Sequence, residues 1–248
     1  MSKFEKHIDG LAKLQAFEPS IFVGDAAYPE ELCDFMLALA LVYNDFRDIF
    51  VAQILLQEVL PSDLKTPTPQ LGEFGGINIH LMRTLAGILR ELIVLLEDCP
   101  SIPKTPQFQN LVAKLQPEAR SAWQSVLAVA GHKPKHNPLT KLLIFARNNV
   151  SFHYSTKALA AGYRSSFVDG ENREPYLSAG STMANTRFYF ADAAAEKFLR
   201  ETSDPETVEQ FFLASSPILK HVNRALHDLV LHFTKVRGGV HSPRKASA

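Results

Sequence analysis

PEELCDFMLALALVYNDFRDIFVAQILLQEVL (residues 29–60) contains no glycine and no proline after its opening residue. Proline followed by Glu30 and Glu31 is a helix start, because the first turn tolerates a missing N–H and favours carboxylates near the positive end of the helix dipole. Most of the circumference that follows is apolar, so the segment is expected to be a central, buried helix. Its longest apolar run, Phe35 to Tyr43, is bracketed by Asp34 and by Asn44-Asp45. That is well short of the roughly 18 residues that suggest a membrane span. Pro61, Pro67 and Pro69 end the helix.

The same reading carries outward along the chain. Gly72, Gly75 and Gly76 are expected to form a turn before a second long helix, from about Asn78 to Asp98. One side of it carries His80, Arg83, Thr84, Gly87, Arg90 and Glu91 at spacings of three and four, a pattern read as a solvent-facing stripe, with a dimer or partner face as the alternative because its small members let another helix approach. Weaker helical signal covers Phe108 to Leu115 and Pro117 to Ala130. A third long helix is expected from Pro138 to about Tyr163, and an aperiodic loop from Arg164 to Met183. Thr186 to Phe190 could pair as a short strand, with helix resuming from Ala191 to Leu199. Asp204-Pro205-Glu206 opens a last helix to about Val236, with a kink expected at Pro217. The expected fold is all-α, a bundle of four long helices and two or three shorter ones. It is organised as a single domain over residues 1–237, with a basic tail at 238–248.

Composition narrows the function classes. Among 248 residues, 46% are hydrophobic and 21% charged, ordinary values for a folded chain. The 26 Lys and Arg balance the 26 Asp and Glu, so any attraction to a polyanion must come from a local patch. Cys33 and Cys99 do not make a disulfide framework. The charged stretch Met1 to Gln15 lacks the apolar block of a signal peptide, and a cytoplasmic protein with no membrane partner is expected.

The polar cluster that stands out is Arg147-Asn148-Asn149-Val150-Ser151-Phe152-His153-Tyr154, set between the apolar residues Leu142 to Phe145 and Ala158 to Ala161. A guanidinium can stabilise phosphate charge, and an imidazole can move a proton near neutral pH. An Arg followed directly by Asn, with five residues separating it from a His, resembles the signature of the HEPN superfamily (higher eukaryotes and prokaryotes nucleotide-binding). The matched motif covers about eight residues.

That resemblance implies a helical protein that pairs through the motif helix as a homodimer. It also implies RNA as substrate and metal-independent endoribonuclease chemistry without a cofactor. The implied catalytic residues are Arg147, Asn148 and His153, and Tyr154 is the candidate RNA contact. A toxin or defence setting, with an antitoxin protein as partner, is implied in the same way. On one ideal helix Arg147 and His153 lie roughly 120° apart, at about 100° per residue. Convergence therefore requires either that the helix loosens around Asn148 to Ser151 or that a second subunit completes the site.

The competing reading is a noncatalytic helical dimerisation module. In it, Arg147 pairs with a carboxylate such as Glu91 or Asp48, and His153 caps a loop carbonyl. Metal binding is not expected. His132 and His136 are separated by Pro134, and His221, His227 and His232 share no ligand face. Gly72 to Gly76 lacks a P-loop lysine. Lys220, Arg224 and His227 read as a solvated face that could extend a basic cleft.

Overall fold

The computed structural model describes residues 5–6, 9, 11, 15–64, 66–130, 138–151, 155–169, 174–182, 185–202 and 205–238. The fold is all-α. The helices are α1 (Glu30–Leu56), α2 (Pro69–Asp98), α3 (Pro106–Ala113), α4 (Pro117–Ala130), α5 (Pro138–Ala146), α6 (Thr156–Phe167), α7 (Tyr189–Thr202) and α8 (Pro205–Arg237). The strand expected at Thr186 to Phe190 is not one: only Arg187 pairs, in a single antiparallel bridge with Ser178, and α7 begins two residues later. The basic tail lies outside the described residues beyond Gly238. Among the described residues, no helix is long and apolar enough to cross a membrane.

The backbone contacts divide the chain into two compact units, each discontinuous in sequence. One comprises residues 1–47, 92–131 and 217–248, and the other residues 48–91 and 132–216. The first unit is built on aromatic packing. Phe108, fully buried, lies 5.8 Å from Phe35 and 5.4 Å from Trp123, centroid to centroid. Thr105 caps α3 by accepting the Phe108 N–H, which sets the ring's approach at the first turn.

At the other end of α8, Arg237 holds residues 20–28 in place. It donates to the carbonyls of Ser20 (3.2 Å) and Val23 (2.7 Å), and its guanidinium lies 5.0 Å from the Tyr28 ring. Its Nη1 is 3.0 Å from the Asp25 carboxylate, a contact of charge alone, since that nitrogen has no hydrogen-bond partner.

Removing this anchor has a definite expected cost. Arg237→Ala strips two backbone carbonyls of a charged donor, which should destabilise the first unit by about 2 kcal/mol, measurable by urea unfolding. Asp25 adds a pH signature. The backbone N–H groups of Tyr28 and Ala27, followed by Arg237, hold its carboxyl below the ordinary value of 3.8. A lowered folded-state pKa contributes stability above the unfolded value and loses it as pH falls through the folded one. Asp25→Asn should therefore be less stable than the parent at neutral pH. The gap should close as pH falls below 3.8; a pH-independent gap would contradict this account.

The second unit depends on close backbone approaches. Gly72, Gly75 and Gly76, expected as a turn, instead lie inside α2, which starts at Pro69. The Tyr189 ring rests on Gly72, 2.8 Å from where a Cβ would stand, and the Arg187 guanidinium occupies the same place at Gly76. Arg187 is fixed there by Glu73 (3.2 Å) and Asp192 (3.1 Å). Gly72 and Gly76 are needed for tertiary contacts that outweigh their poor helix propensity. The expected long loop also begins later than Arg164, because α6 continues to Phe167.

Candidate functional site

The expected third long helix is divided at the polar cluster. After α5, residues Arg147–Ser151 form a widened turn of π type, and α6 begins only at Thr156. Asn, Val and Ser are mediocre helix formers, so the loosening around Asn148 to Ser151, one of the two alternatives open from sequence, has a local cause. Ser155 caps α6 by accepting the Ala158 N–H, and its own N–H reaches back to the Asn149 carbonyl at 3.1 Å.

A widened turn disturbs the ordinary i→i−4 pairing, and the displaced groups need partners. Here side chains supply them. Asn149 Nδ2 donates to the Phe145 carbonyl at 2.8 Å. Arg83 Nε, from α2, donates to the Val150 carbonyl, and Ser151 Oγ donates to the Arg83 carbonyl at 2.8 Å. Val150 anchors the turn inward, only 1% exposed. Arg83 and the turn thus clamp each other reciprocally.

Arg147 stands at the start of this turn with its side chain 39% exposed. Its Nε lies 3.2 Å from Glu91 Oε1 on α2, and its Nη1 donates to Asn148 Oδ1 at 3.3 Å. Glu91, 47% exposed, is one of the two carboxylates the competing reading anticipated. The structure therefore brings Arg147 and Asn148 together. His153 and Tyr154 lie outside the described residues.

The α2 stripe is not uniformly solvent-facing. His80 and Glu91 are exposed, Gly87 is buried, Arg83 is engaged with the turn, and Thr84 Oγ1 donates to its own helix at His80 O, 2.9 Å. Sequence reasoning missed Arg83 as the residue that supports the turn. The available signal was a cation between buried Met82 and Leu85, facing a segment with surplus carbonyls.

Among the described residues, no group of three His, Cys, Asp or Glu side chains could hold a metal ion. His227 Nδ1 is bonded to Asp228 at 2.7 Å, and its ring lies 5.8 Å from that of Tyr43. The second unit also has a cavity of about 960 Å³, walled by Phe167, Tyr176, Tyr189 and Phe190. Its cations are matched by carboxylates: Lys197 by Glu201 at 2.9 Å and Arg200 by Glu196 at 2.8 Å. That leaves little net charge there for an anion. No protein-family model, curated protein sequence or solved structure matches this chain.

Proposed function

We propose that this chain acts on RNA through a HEPN-like site in which Arg147 receives the phosphodiester, Asn148 positions it and His153 moves the proton. The observation that carries the reading is the coincidence of the Arg-Asn-x4-His motif with an interruption of the helix. Widened turns are disproportionately found at functional sites. Here the turn leaves the guanidinium accessible and held by one exposed carboxylate. Exposed ion pairs are worth about 0–1 kcal/mol, so a phosphate displaces Glu91 at small cost.

The reaction needs no metal. The ribose 2′-oxygen attacks the adjacent phosphorus and the bond to the 5′-oxygen breaks, leaving a cyclic phosphate and a 5′-hydroxyl. His153 takes the proton from the 2′-hydroxyl or returns one to the departing 5′-oxygen. Arg147 stabilises the charge that builds on phosphorus-bound oxygen. Two copies pairing through this region, and an antitoxin protein that neutralises them, belong to the same proposal.

Glu91 makes it testable by binding alone. With a short single-stranded RNA, Glu91→Gln should tighten Kd about fivefold, the equivalent of about 1 kcal/mol. Arg147→Ala should weaken it about tenfold or more. Equal affinities for all three proteins would remove Arg147 from the interface.

A second reading has its own support. Arg83, Asn149 and Ser151 are all engaged in bonds that hold the turn, and Arg147 is paired. A noncatalytic helical dimerisation module would use the cluster in that way. It predicts a stable dimer that leaves RNA intact and binds it no better when Glu91 is neutralised.

A further inference from the structure

A different cluster lies in the first unit, where α8 faces the corner between α3 and α4. Arg224, Asp228, Leu231, His232 and Lys235 recur along one side of α8 and line a cavity of about 320 Å³ with Lys114, Leu115 and Gln116. That volume lies at the lower end of the range for small-ligand pockets, about 300–1,000 Å³. We propose that this pocket binds a phosphate-bearing anion, with Lys114 and Lys235 as its principal charges and His232 in its wall.

The charge balance favours an anion. Three cations, Lys114, Arg224 and Lys235, meet one carboxylate, Asp228, among the lining residues. Asp228 is already bound to Arg224 at 3.0 Å and to His227 at 2.7 Å. The lysines come from two different elements, and both side chains are exposed, so each is available to a ligand. From α4, exposed Glu118 opposes the field. Arg120 adds to it, with its Nη2 donating to the Leu115 carbonyl at 3.4 Å. Gln116 immediately precedes α4, and the first-turn N–H groups of a 14-residue helix favour negative charge.

His232 lies in the wall of the pocket, within the field of both lysines. Its Nε2 is buried and has no hydrogen-bond partner. Burial, and after it the charges of Lys114 and Lys235, lower its pKa from 6.5. Both lysine cations therefore act on the same imidazole. A bound phosphate cancels that field and raises the His232 pKa, so proton uptake from solvent accompanies binding in the range where the imidazole titrates.

The sequence alone read Lys220, Arg224 and His227 as one solvated face. The structure groups Arg224 with Lys235, Lys114 and His232 instead. This site does not depend on the RNA-cleavage reading, and its residues are not those of the Arg147 cluster.

Three probes distinguish the sources of phosphate, each titrated calorimetrically at constant ionic strength against a sodium chloride control. They are inorganic pyrophosphate, a mononucleotide and a short single-stranded RNA. At least one should bind the intact protein. Lys114→Gln/Lys235→Gln should weaken that binding at least about tenfold with circular dichroism unchanged. The His232 ring resonance, followed by NMR, should titrate at higher pH when the probe is bound. Pyrophosphate binding without RNA binding assigns a small phosphate compound, and lysine-dependent RNA binding assigns a nucleic-acid backbone. Absence of binding by all three probes overturns the proposal. So does a double variant that binds as tightly as the parent, or a His232 midpoint unmoved by the bound probe.

Discussion

Gly162→Val should destabilise the second unit by about 3 kcal/mol or prevent its folding. Any Cβ at this position collides with the backbone carbonyl of Ala194 on α7, 2.9 Å from its carbonyl carbon and 3.0 Å from Phe198 Cβ. α6 and α7 are therefore in backbone contact at this point, where a glycine lets the helices approach as closely as their main chains permit. Overpacking commonly costs about 1–3 kcal/mol, and more when the obstacle is main chain rather than a movable side chain. The neighbourhood offers little slack, since Ala158, Ala194 and Ala195 are all buried. Gly162→Ala should show a smaller loss of the same sign. Thermal unfolding of the variants provides the check; a valine variant as stable as the parent would mean that α6 and α7 do not pack as described.

The second large effect concerns the widened turn. Arg83→Leu removes the donor to the Val150 carbonyl while leaving Ser151 able to bond the position 83 carbonyl. A partly buried carbonyl that loses a charged donor should cost about 2 kcal/mol. A functional loss should accompany the stability loss, because Arg147 stands at the start of this turn. RNA binding is expected to fall about tenfold, although Arg83 is a positioning residue that donates to the turn and not to a ligand. Arg83→Lys retains a cationic donor and should recover part of both losses. Amide exchange in residues 147–151 should accelerate in the leucine variant. Unchanged exchange there would mean that the clamp does not hold the turn.

These two features show what could and could not be read from the chain. The long apolar segments declared the all-α class, and Pro29-Glu30-Glu31 placed the start of α1 within one residue of Glu30. Loosening at the polar cluster was legible only as one of two alternatives, although Asn148, Asn149 and Ser151 prefer bonds to nearby backbone over helix continuation. What could not be read was tertiary demand. Gly72 and Gly76 looked like turn residues because nothing local reveals that Tyr189 and Arg187 will rest on them. Gly162 carried no local signal at all. At the candidate site, Arg147 and Asn148 were identified together from their adjacency. Arg83 was placed in a solvent-facing stripe because its bond spans 67 residues of sequence. Its role emerges only once α2 and the turn are assembled.

Total RNA incubated with the purified full chain in excess chelator tests the central claim most directly. RNA cleavage by Arg147 and His153 predicts fragments ending in a cyclic phosphate and a 5′-hydroxyl. It also predicts that Arg147→Ala and His153→Ala each lower the rate at least about a hundredfold, within the range of about 10²–10⁴ expected for lost acid–base or charge stabilisation, with the fold retained. RNA left intact by the parent protein, or cut equally well by both variants, would contradict it.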